Sequence, residues 1–210
     1  MVVEVKFLKE LDKSNEIEKI IKEAVSQHPF FSKAVRKPDL LIVEVTNIDD
    51  EGTGINDDSF KENASVKLNL HDAELYESQQ NSLYPQLFHI VYGSLNNKLY
   101  NIIMHEFAHF IDKLDEKFYY DDDEFKSQPA VQKEIYQTLW NSYIDGRLNK
   151  LTPCSLDDRI KEISCIKMNS GHIEIIVDFV IKAWNKAFTT HKELLSKAEE
   201  AYKQSKEKRP

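Results

Sequence analysis

An α+β fold is predicted for this chain, and three observations predict it. Strand-like patterns lie between Val2 and Leu70. Helical patterns occupy the chain from Asn96 onward. A strongly apolar helix, centred on Leu99 to Ile111, sits where one regime gives way to the other. Strands first and helices afterwards, rather than strict alternation, is the order expected of α+β architecture.

Val2 to Leu8 alternates apolar and polar side chains, the period of a half-buried strand. Asn15 with Glu18 three residues on is a helix-start signature. Ile17, Ile20, Ile21, Ala24 and Val25 supply an apolar stripe, and His28-Pro29 ends the helix. Asp39 to Thr46 is apolar and β-branched, a buried strand. Asp49 to Glu62, acidic and holding Gly52 and Gly54, reads as a loop. Ala64 to Leu70 alternates again and reads as a strand, while Asp72 to Gln86 has no decisive pattern. A buried helix then runs from Asn96 to about Asp112. Asp121 to Glu124 reads as an exposed acidic turn without the ligand spacing of a calcium loop. Helices follow over Ala130 to Asn149, from Ser155 with Asp158 as its capping partner, over Ile173 to Phe188, and over His191 to Lys203. The expected organisation is an N-terminal part, 1–115, ending in the central helix, and a helical C-terminal part, 116–210, together making one compact domain.

With 210 residues, 41 % of them hydrophobic, the chain can bury a core of ordinary size. A formal net charge of −8 disfavours nucleic acid as a partner, because phosphate binding requires a basic face. The basic run Lys203 to Arg209 reads as a solvated helix end. No apolar run approaches the ~20 residues of a membrane span, and Met1 to Phe7 is too short and charged for a secretory core. Cys154 and Cys165 do not make a disulfide framework, so a reduced, cytoplasmic setting is expected.

The chemistry concentrates in His105-Glu106-Phe107-Ala108-His109. Four residues on a helix are about 400° of rotation, so both imidazoles leave one face, one turn apart. Two nitrogens at that spacing can reach one zinc ion at about 2.0–2.1 Å. Glu106, about 100° around the helix, flanks that position, where a carboxylate serves as a base rather than a ligand. Three ionisable groups in a strongly apolar helix would cost several kcal/mol in desolvation without a purpose.

This motif resembles that of the zincin metallopeptidases. Locally, His105 to Asp115 is similar to the active helix of the bacterial peptidases known as Mlc titration factors, and in scale the chain is similar to the small prokaryotic gluzincins, or minigluzincins. The resemblance implies a zincin-like fold: an N-terminal mixed sheet with a helix, a central metal-binding helix and a helical C-terminal subdomain. An edge strand, the last of the sheet, then binds substrate backbone, here beside Ser65 to Leu70. It also implies one zinc ion, a peptide or protein substrate, and hydrolysis in which Glu106 accepts a proton from water and passes it to the leaving amine. The alternative keeps the metal and lacks the activity: a zincin-like zinc-binding or regulatory protein.

A catalytic zinc site usually has three protein ligands. The metzincin spacing would assign the third to Asp115, although Asp112 stands where that family has glycine. Gluzincins draw a glutamate from a following helix. On Ala130 to Asn149, the positions Val131, Ile135, Thr138, Ser142 and Asp145 share one face. Asp145 is therefore the first candidate and Glu162 the second; an ion pair with Arg147 is the competing explanation of Asp145. Glu134 reads as exposed and Glu174 as a weaker rival. Asp112, three residues past His109, could accept a hydrogen bond from a ligand imidazole, or lie at the surface of the helix end. Tyr143, Arg147, His172 and Tyr120 are possible oxyanion donors. Met168 is weak support for a metzincin methionine turn, and His28, His71, His89 and His191 read as structural or surface residues.

Overall fold

The computed structural model describes residues 2–7, 14–29, 40–46, 54–59, 63–69, 95–152, 154–165 and 173–207. The segment 72–86, His71, His89, Met168 and His172 lie outside them. The fold is mixed α+β, mostly helical, and divides into two compact units, Met1–Asp115 and Glu116–Pro210. No described helix is long and apolar enough to cross a membrane.

The first unit holds strands β1 (Val2–Phe7), β2 (Leu40–Thr46), β3 (Gly54–Ser59) and β4 (Asn63–Asn69), with helices α1 (Ser14–Gln27) and α2 (Leu95–Leu114). The sheet order is β1-β2-β4-β3. β1 and β4 both run parallel to β2, and β3 runs antiparallel to β4. An interior strand in parallel surroundings reads as a nearly continuous apolar run. β2 is such a strand, and Leu41, Val43 and Val45 on its inner face are fully buried. α1 buries the stripe Ile17, Ile20, Ile21, Ala24 and Val25 and packs against β1 and α2. It stops at Gln27, one residue before His28-Pro29.

Two expectations for this unit require correction. The acidic stretch 49–62 is not all loop, since it contains β3. Gly-Ile-Asn-Asp-Asp-Ser has poor strand propensity, but pairing with β4 satisfies its backbone along one side, and pairing overrides propensity. A register irregularity between Asp57 and Ser59 marks a bulge there. The second correction follows from the first. β4 is paired on both sides, by β2 and β3, so its backbone groups are engaged and it is not the edge strand. On that side of the sheet the edge is β3, which packs against α2, and β1 is the opposite edge.

The second unit is helical: α3 (Asp122–Lys126), α4 (Ala130–Leu148), α5 (Leu156–Cys165), α6 (Ile173–Trp184) and α7 (His191–Glu207). The acidic turn at 121–124 is in fact the start of a short helix. The Asp121 side chain caps it by accepting from the Glu124 amide at 2.9 Å. Ser155 and Asp158 form the expected capping box, with the Asp158 amide donating to Ser155 Oγ at 3.2 Å and the Ser155 amide to Asp158 Oδ2 at 3.1 Å. Thr190 and Glu193 repeat that device at the head of α7. The main-chain amides of Thr189 and Thr190 hold the Glu193 carboxyl below its ordinary range. α6 ends four residues earlier than expected. Lys186 adopts φ 62°, and the amides of Lys186 and Ala187 return to the carbonyls of Ala183 and Lys182. That is a Schellman stop with lysine where glycine usually signals it, so the pattern gave no warning.

α4 is the hub of this unit, packing on α5, α6 and α7. Gly146 makes the α6 contact possible, because a Cβ there would overlap the Trp184 carbonyl group. The overlapped atoms are backbone and cannot rotate away. Gly146→Ala is therefore expected to destabilise the protein by about 1–3 kcal/mol, the usual cost of overpacking. Denaturant titration checks this, and unchanged stability would refute the close approach.

His191 opens α7 at 0 % exposure, enclosed by Phe118, Tyr120 and Tyr136, with Nδ1 2.6 Å from Tyr136 Oη. Burial pulls its pKa below 6.5, although Glu124 and Asp121 act in the opposite sense. Above pH 6.5 the folded and unfolded states are both neutral at this residue, and its contribution is fully present. Below it, the unfolded chain takes up a proton that the fold refuses. Stability should then fall toward the depressed folded pKa by at most about 1.4 kcal/mol per pH unit. Unfolding curves from pH 7.5 to 5 should show a steeper loss for the wild type than for His191→Gln. Parallel curves would exclude His191 as the source.

Candidate metal centre

From Tyr100 onward, where its side chains are described, α2 is largely buried. Ile103, Met104, Phe107, Ala108, Phe110 and Ile111 are at most 4 % exposed. His105, Glu106 and His109 are half-buried, together with Tyr100, Ile102 and the residues after Asp112. A helix that packs on several sides therefore keeps one partly open stripe, and that stripe carries the three ionisable groups.

The imidazoles converge. His105 Nε2 and His109 Nε2 are 3.2 Å apart, and the rings meet edge-on, with centroids at 5.0 Å and planes at 70°. Two nitrogens about 2.05 Å from one zinc at the tetrahedral angle would be about 3.3 Å from each other. The observed separation is close to that of two nitrogens sharing one zinc. Without a metal, one imidazole N–H donates to the other nitrogen. Glu106 stands between these two histidines in sequence and is also half-buried.

The remaining candidates are distributed as follows. Asp112 is 2 % exposed in the last turn of α2, which rules out a surface aspartate. Asp115 is partly exposed just beyond that helix, its amide donating to the Asp112 carbonyl at 3.1 Å. Among the described residues, no group of three or more His, Cys, Asp or Glu side chains is arranged to hold a metal ion. Of Glu162, the backbone lies in α5 and the side chain is outside what is described. Glu134 and Glu174 are exposed.

Asp145 lies on α4 in the second unit, 4 % exposed. Its Oδ2 accepts from Arg159 Nε at 2.8 Å and also from Arg159 Nη2, and the Cys154 thiol lies 3.8 Å from the same oxygen. The ion-pair explanation thus has a partner that sequence reasoning missed. Arg159 sits on α5, fourteen residues on, and no helical spacing connects it to Asp145. Arg147 lies over the Tyr143 ring, 4.3 Å from its centroid. Tyr143 is buried and stacked with Phe118 at 6.4 Å, and Tyr120 stacks on Trp140 at 5.4 Å while donating to Asp122 Oδ1 at 3.2 Å. Tyr143 packs as a core residue, and Tyr120 is half-buried at its margin.

No protein-family model matches the chain, and neither a curated protein nor a solved structure matches it significantly.

Removing one member of a buried ion pair strands the other charge, at a cost of about 3–5 kcal/mol. Asp145→Ala should show a loss of that size in chemical denaturation, because Arg159 is only 12 % exposed. A loss under about 1 kcal/mol, the scale of an exposed pair, would mean that water already screens the contact.

Proposed function

We propose that the chain is a zinc-dependent peptidase, with His105 and His109 holding the metal through their Nε2 atoms and Glu106 as the catalytic base. The observation that carries this reading is the 3.2 Å approach of the two Nε2 atoms on the partly open stripe of a buried helix. Bound there, zinc would supply a Lewis acid and bring the pKa of water toward about 7. Glu106, next to the pair, takes the proton of the attacking water on its carboxylate and returns it to the leaving amine. Asp112, buried one turn beyond His109, is suited to accepting from a ligand imidazole and fixing its tautomer. The substrate backbone pairs with the edge strand β3, which packs against α2, rather than with the doubly paired β4. The third ligand stays among Asp145, Glu162 and Asp115.

A zinc-binding, zincin-like protein without peptidase activity is the second reading. The engagement of Asp145 Oδ2 by Arg159 motivates it, since a carboxylate held in an ion pair makes a poorer third ligand.

The purified protein should bind one zinc per chain by elemental analysis, and His105→Ala should abolish that binding. Glu106→Gln should retain zinc and lose peptide hydrolysis by at least about 100-fold, because it removes only the base. Absence of zinc after titration at neutral pH would sink both readings. Zinc binding with no hydrolysis of any peptide mixture by the wild type would select the silent one.

A further inference from the structure

We infer that His28 is a positioning residue for His105, acting through the Met104–His105 peptide group. This inference rests on the metal reading above.

His28 is 2 % exposed and follows directly on the last residue of α1. Its amide closes the helix end on the Val25 carbonyl at 3.3 Å. Its ring reaches across to α2, where Nε2 lies 2.9 Å from the Met104 carbonyl oxygen. A carbonyl oxygen only accepts, so Nε2 carries the proton and donates. Met104 is itself 1 % exposed, so the bond is shielded from water.

The carbonyl that receives this bond belongs to the peptide whose nitrogen is that of His105. A peptide unit is planar from one Cα to the next, so fixing the Met104 oxygen fixes the plane that ends on the His105 Cα. The helix ladder uses one lone pair of that oxygen, and His28 uses the other. A second link lies one turn back, where Tyr100 Oη donates to Gln27 Oε1 at 3.2 Å. The end of α1 thus grips α2 at positions 100 and 104, immediately before the ligand pair. Rotation of α2 about its axis would break both links and turn the imidazole stripe with it. Bulk at position 28 alone would not supply this restraint; a donor at the reach of Nε2 would.

The test compares His28→Gln, whose amide nitrogen can still donate at that reach, with His28→Phe, which fills the space without donating. Zinc affinity is read by competition titration, and imidazole nitrogen shifts are read by NMR on the metal-free protein. His28→Phe should weaken zinc by about tenfold or more, and His28→Gln should stay within about threefold of the wild type, on the scale seen when orienting groups are lost. The His105 nitrogen resonances should move in the Phe variant and stay in place in the Gln variant. Equal zinc losses in both variants would reduce His28 to core filling, and a folded Phe variant with wild-type affinity and unmoved resonances would overturn the inference. If the wild type takes up no zinc, the peptidase reading fails and the nitrogen shifts alone decide the role of His28. If the Phe variant does not fold, the wild-type spectrum decides: His28 protonated on Nδ1 rather than Nε2 would overturn the inference.

Discussion

Helix α2 must bury apolar side chains on most of its circumference while keeping two imidazoles and a carboxylate partly open. Everything described in the first unit follows from that constraint. Phe107, Ala108, Phe110 and Ile111 satisfy the buried arc, and α1 and β3 lie against the helix. The polar groups are confined to a narrow stripe, where His105 and His109 come within 3.2 Å of each other. Desolvating three ionisable groups inside such a helix would be costly. Leaving them half-open lowers that cost and gives the stripe access to a ligand.

The sheet supports the same helix from the other side of the chain order. β2 lies inside the sheet with parallel partners on both sides, and α1 connects it to β1. On the β4 side the edge is β3, a strand of polar composition with a bulge. The second unit is built on a different principle. Its centre is an aromatic group, Phe118, Tyr120, Tyr136 and Trp140, gathered around a buried histidine, with a buried ion pair between α4 and α5. Asp145 belongs to that arrangement. A carboxylate on the apolar face of a helix announces a partner, and the partner here is a guanidinium.

What was legible in advance divides along physical lines. The helices of the second unit declared themselves through caps and periodicity, as Ser155 with Asp158 shows. The stripe of α1 named five buried residues, all of them buried. β3 was not legible, because its residues favour a loop and only the neighbouring β4 makes them a strand. The end of α6 was not legible either, because Lys186 takes the left-handed conformation without the glycine that usually marks it.

Local spacing placed His105 and His109 on one helix face, one turn apart, before any fold was known, and the rotamers chosen by packing bring their Nε2 atoms together. The same holds for the apolar stripes and the capping boxes, whose partners lie within one turn of each other. Contacts between distant segments were decided only by tertiary structure. Asp145 found Arg159, β3 took the edge beside β4, Gly146 admitted the backbone of Trp184, and His28 reached the carbonyl of Met104. Periodicity shows which face of an element is buried, but not which residue of another element will lie against it. That is settled when segments far apart in sequence dock and each buried polar group must take whatever partner the packing brings within reach.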